Sequence, residues 1–248
     1  MNIYITISIA IIFLILLLLT SLFFMKQILT TLWITRKFNS TKYPEFYNLF
    51  EELYKKSGIE KKINIKVSYG WDSNRRLNGH ALKNTLTLPF SVIKQFYNTP
   101  YGVFVAKHIL GHELAHLKYD SDKNIITLFF KNILMLFSHK LKCQSFIIES
   151  RADIISHSIT GLSKEEIKIA HDTITLSNSK KSKHTNYLLG YPTRDQRIHI
   201  ESSHNEFNQA AFDDIVKTVI YDFFQAYKVK NKERLLNDLK LFYKKLQY

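Results

Sequence analysis

His112 and His116 stand four residues apart in the stretch HILGHELAHLKYD (residues 108–120), with Glu113 directly after the first histidine. Residues i and i+4 share one face of a helix, so two neutral imidazoles here can grip one Zn²⁺. A catalytic zinc also needs a third protein ligand and an open position for water. Glu113 stands beside the first ligand, where it can take that water's proton and pass it to a departing amine. At this chain's His and Glu frequencies the H-E-x-x-H pattern arises by accident about 0.02 times, so the match needs independent support. Its flanks, VFVAKHILG and LAHL, are apolar and imply a buried helix. Burying two imidazoles and a carboxylate without partners is costly, and a metal removes that cost. His108 lies one further turn back on the same face. A tetrahedral ion does not readily gather three side chains from two turns of one helix, so His108 reads as a packing residue or one that supports a ligand from behind.

Completion of the site requires an acidic residue from elsewhere. The stretch IIESRADIIS offers Glu149, with Asp153 four residues later on the same face. Glu149 would ligate the metal, and Asp153 would accept the N–H of a ligand histidine, His112, and hold its tautomer. A Glu/Asp pair at this spacing is by itself an ordinary solvated helix face. Here Phe146, Ile147, Ile148, Ile154 and Ile155 bracket it and argue for burial.

The elements that must position these residues follow from pattern. At 248 residues, with 46% hydrophobic and 14% aromatic content, the chain can build one sizeable core. Gly (7) and Pro (4) are scarce, which favours long helices over a many-turned β fold. The lone cysteine, Cys143, excludes a disulfide framework and a cysteine-based zinc site. Helical spacing predicts helices over 43–57, ending at Gly58, over 101–119, 125–138 and 145–160, ending near Gly161, and over the basic tail 228–248. Alternation predicts strands over 63–70 and 85–88, with a turn between 78 and 84 and a break at Pro89. The expected fold is α+β and mostly α, with a short sheet.

Residues 3–25 run 23 positions without a charge, about 35 Å as a helix, which suffices to cross a bilayer. No basic n-region precedes them and no A-x-A cleavage pattern follows, which favours a transmembrane helix over a signal peptide. The segment 125–138 is shorter and carries Lys131, so it is expected in the core or in the membrane interface. The expected organisation is an anchor over 1–25, a basic juxtamembrane segment over 26–42 and a catalytic domain over 43–248. Lys26, Arg36, Lys37, Lys42, Lys55 and Lys56 all follow the span, so the positive-inside rule puts a single-pass protein's body in the cytoplasm. The net charge of +14 suits an anionic leaflet. No RNP, zinc-finger or helix-turn-helix signature is present to make nucleic acid the partner.

On these residues the sequence resembles the gluzincin metallopeptidases, most of all the HtpX and CAAX-prenyl-protease type of membrane zinc endopeptidase. HELAH (112–116), ESRAD (149–153) and GYPTRDQR (190–197) match the family's blocks in order, and NGHALKNTLTLP resembles the strand that precedes the active-site helix. The resemblance spans roughly 78–200. It implies a zincin-like domain with one Zn²⁺ held by His112, His116 and Glu149, Glu113 as general base, and Asp153 behind a ligand. It further implies Arg197 near the substrate and the oxyanion. Tyr191 stands where the family usually has histidine, and a phenol can still donate a hydrogen bond to an oxyanion. The short gap between His116 and Glu149 also resembles the BlaR kind of membrane sensor peptidase, whose several-span anchor is missing here. The function expected is therefore a membrane-anchored zinc endopeptidase, with a peptide or protein substrate extended along residues 82–88. The rival is a non-catalytic, zinc-stabilised regulatory module at the membrane.

Overall fold

The computed structural model describes residues 35–69, 77–120, 125–177 and 182–247. The expected anchor over 3–25 lies outside these residues. Among the described residues no helix is long and apolar enough to cross a membrane.

The chain is a mostly helical α+β protein with a small mixed sheet. Strands β1 (Thr35–Lys37), β2 (Asn64–Ser68), β3 (His80–Leu82) and β4 (Thr85–Pro89) are ordered β1-β2-β4-β3. In β2, Ile65 and Val67 alternate inward, and in β4 Leu86 and Leu88 do the same. The parallel register pairs Ile65 with Leu86 and Val67 with Leu88, so one face of the sheet is apolar. That face packs on α1 (Pro44–Ser57), α2 (Phe90–Asn98) and α3 (Gly102–Tyr119) through Phe46, Leu53, Ile93, Leu110 and Leu114.

Several boundaries depart from expectation for local reasons. Residues 78–84, read as a turn, contain β3, which folds back on β4 through Lys83 at positive φ. Three residues are too few to display alternation. Pro89 both ends β4 and stands at the cap of α2, an element the sequence did not announce. Thr35–Lys37, expected in the juxtamembrane segment, pair with β2, and Phe38 after them is buried. Those residues therefore belong to the folded body.

A second layer comprises α4 (Ile125–Phe137), α5 (His139–Thr160), α6 (Lys164–Ser177), α7 (Lys183–Leu188), α8 (Arg194–Ser203), α9 (Gln209–Ile215), a π turn (Val216–Ile220), α10 (Tyr221–Ala226) and α11 (Lys232–Leu246). Helix α5 starts earlier than the apolar pattern implied, because Ser138 caps it by accepting from Leu141 N. Phe146, Tyr187, Phe212, Phe223 and Leu239 fill a separate core on this side. Helices α3 and α5 lie between the two cores, where they meet closely. Gly111 permits that approach, because a Cβ there would stand 2.6 Å from Ser156 Oγ and 2.7 Å from Thr160 Cγ2. Ser156 Oγ donates to the His108 carbonyl across the same contact (3.2 Å).

Candidate metal centre

The close crossing of α3 and α5 sets His112 and His116 against Glu149 and Asp153. The two Nε2 atoms face one another at 3.1 Å. Glu149 completes the group, with Oε2 3.4 Å from His112 Nε2 and Oε1 3.8 Å from His116 Nε2. One ligand atom from each of the three residues lies within 4.8 Å of the others. The side chains keep 11%, 16% and 13% exposure, which leaves a solvent-facing side.

What lies behind the ligands explains why they point inward. His112 Nδ1 lies 2.8 Å from Asp153 Oδ1, and His116 Nδ1 lies 3.2 Å from Asp120 Oδ2. An ionised carboxylate only accepts, so each Nδ1 carries the proton and donates it. Both Nε2 atoms are then turned towards each other at 3.1 Å and towards Glu149, a convergence that a cation or a shared ring proton can satisfy. Burial alone would depress His112, but hydrogen bonds to Asp153 and Glu149 lift its pKa to about 10. The group thus holds a proton in a place that a divalent cation could take over. Glu149 stays ionised, because hydrogen bonding to His112 and the charge of His116 outweigh its burial. Two nitrogens, one carboxylate and an open side fit the donor set of a catalytic zinc.

Both supporting carboxylates are themselves clamped. Arg197 donates through Nε (2.8 Å) and Nη2 (2.6 Å) to the two oxygens of Asp153, whose side chain is fully buried. Arg151 donates to Asp120 Oδ1 at 2.9 Å. Burial would raise the Asp153 carboxyl, yet the Arg197 guanidinium holds it well below the usual carboxylate range. A capping box at the start of α8 sets where Arg197 falls: Gln196 N donates to Thr193 Oγ1, and Thr193 N donates to Gln196 Oε1.

The expected site residues divide accordingly. His112, His116, Glu149 and Asp153 are brought together. Glu113, on the same helix turn, is 7% exposed, and among the described residues nothing hydrogen-bonds its carboxylate. Gly79 passes so near it that a Cβ would meet Glu113 Cγ at 2.6 Å. Arg197, expected near the substrate and the oxyanion, has its guanidinium on Asp153, with Nη2 3.5 Å from His112 Nδ1. Tyr191 follows Gly190 (φ 75°) and is 41% exposed. The negative charge of Glu149, with a smaller push from Glu113, raises its phenol above its ordinary pKa, so it remains a donor. His108 takes no part, because its Nδ1 meets Glu201 instead.

Sequence reasoning missed Asp120 and Arg151. The signal for Asp120 was present, since it follows His116 by four residues within the opening stretch. The expected peptide track over 82–88 needs revision too. Strand β4 is paired on both sides, to β2 and to β3, and among the described residues the outer strands are β1 and β3, of which β3 packs against α3. The chain matches no protein-family model, no curated protein and no solved structure.

Proposed function

We propose that the chain is a zinc-dependent endopeptidase of the gluzincin kind, resembling the HtpX type, and anchored to a membrane by residues 3–25 with its body in the cytoplasm. The observation that carries this reading is the pair of facing Nε2 atoms at 3.1 Å, each backed by a carboxylate and joined by Glu149, with Glu113 unengaged beside them.

A bound Zn²⁺ supplies Lewis acidity and a water of lowered pKa. The protein's own groups do the rest. His112, His116 and Glu149 hold the ion, while Asp153 and Asp120 fix the imidazole tautomers. Glu113 accepts the proton of the attacking water and returns it to the leaving nitrogen. The Tyr191 phenol, kept protonated, donates to the oxygen on which negative charge develops. Arg197 acts through Asp153, keeping it ionised so that His112 presents Nε2 forward. An extended peptide adds to the open side of β3 through main-chain hydrogen bonds.

Glu113→Gln should retain zinc and lose about 10²–10⁴-fold in cleavage of casein or of the chain itself. Undiminished cleavage in that variant would sink the mechanism. One observation favours the second reading, a non-catalytic zinc-stabilised regulatory module: Tyr191 stands where the family usually has histidine. That reading predicts chelator-sensitive folding and no cleavage even in the wild type.

A further inference from the structure

His108, the histidine left out of the candidate metal centre, enters a different cluster. Its Nδ1 lies 3.0 Å from Oε1 of Glu201 on α8, and Nε2 of His171 on α6 lies 2.8 Å from Oε2 of the same carboxylate. The two imidazole rings are 4.4 Å apart at their centroids. Relative exposures are 2%, 4% and 0% for His108, His171 and Glu201, so the cluster is sealed from solvent. The three residues are 30 to 93 positions apart in sequence and come from three helices, of which α6 packs on both α3 and α8.

We infer that His108, His171 and Glu201 form a second, enclosed metal site for a zinc-class divalent cation, one that ties α3, α6 and α8 together. Ligand atoms from the three residues lie within 4.8 Å of one another, as in the first cluster. With Glu201 chelating through both oxygens, the donors are two imidazole nitrogens and two carboxylate oxygens. That makes a closed four-coordinate set with no position for water, which is the character of a structural site. Two imidazoles and one carboxylate suit zinc, whereas the harder Mg²⁺ and Ca²⁺ prefer oxygen ligands. Burial and the neighbouring His108 bring His171 down to about 4, so it is neutral near pH 7. Contacts with His108 and His171 overcome burial and keep Glu201 ionised. The nearby guanidinium of Arg197 does not compete, because Asp153 engages it. The rival account of the same coordinates is a metal-free bridge in which Glu201 accepts one N–H from each imidazole.

Elemental analysis of the purified full-length chain, dialysed against metal-free buffer and reloaded with zinc alone, separates the two accounts. About two zinc ions per chain are expected for the wild type, falling to about one in His171→Gln. Glutamine is the informative replacement, since its amide still donates to Glu201 and preserves the bridge while discarding a zinc ligand. An unchanged count in a folded His171→Gln would overturn the inference, as would a wild type holding about one zinc that His116→Ala removes. If that variant does not fold, Co²⁺ titration of the wild type decides. Two spectroscopically distinct binding steps support the second site, and a single step that His116→Ala abolishes removes it. The inference does not rest on the peptidase reading. His116→Ala should remove only the zinc of the open cluster, so a count that ignores His116 defeats the first site and spares the second.

Discussion

Helix α3 carries histidines at 108, 112 and 116, one per turn, yet they serve two clusters of opposite character. The pair at 112 and 116 faces a partly open cleft, with an unengaged acid beside it and carboxylates behind. The residue at 108 faces a sealed interior, where its carboxylate partner meets it directly. Same residue type, same helix and same spacing lead to different chemistry because the neighbours differ. Behind the open pair stand Asp153 and Asp120, which hold Nδ1 and leave Nε2 free for a ligand. Against His108 stands Glu201, whose carboxylate lies 3.0 Å from Nδ1 itself. A reactive site needs carboxylates one step removed from the ligand atoms and one face left to solvent. A structural site needs neither.

Three substitutions bear on this contrast, beyond those at Glu113 and His171. The largest effect is expected from Asp153→Ala, which strands the Arg197 guanidinium and frees the His112 tautomer. Loss of a buried partner should cost about 3–5 kcal/mol in urea denaturation. A cost under 1 kcal/mol would mean that the clamp behind the open cluster is dispensable. Next is Gly111→Ala, which presses a methyl group into Ser156 and Thr160 and spreads α3 from α5. About 1–3 kcal/mol of stability should be lost. Weakened zinc retention should accompany it at the open cluster, which draws its ligands from both of those helices. Normal zinc affinity in a destabilised Gly111→Ala would show that the crossing sets stability alone. The smallest change in fold is expected from Asp120→Asn, which keeps a hydrogen-bonding side chain behind His116. Zinc affinity of the open cluster should weaken about 10–100-fold in a competition titration. An unaltered affinity would leave Asp153 as the sole support that matters and remove the parallel between the two clamps.

Legibility in the sequence tracked the range of the interaction. Helices over 44–57, 102–119 and 125–137 declared themselves through apolar spacing, and Gly58 and Gly161 do take left-handed conformations at helix ends. Short elements were lost: β3 spans three residues and α7 spans six, lengths at which periodicity carries no signal. Helix α8 has little apolar content, and what announces it is the Thr193–Gln196 capping box. Among site residues, Asp120 was readable in principle from its place four residues after His116. His171 and Glu201 were not, since neither has a local pattern that marks it.

By itself, then, the sequence determined the pairing of His112 with His116, the position of Glu113 and the shared face of Glu149 and Asp153. Each of those is a matter of 3.6 residues per turn, which the chain obeys wherever it is helical. Only the tertiary structure decided what each group meets. It set Arg197 onto Asp153, and among the described residues it placed β4 inside the sheet and β3 at its edge. It also sent His108 into a sealed cluster with partners 63 and 93 residues away. Such encounters depend on how closely helices can approach, and at Gly111 that was decided by the absence of a single side chain.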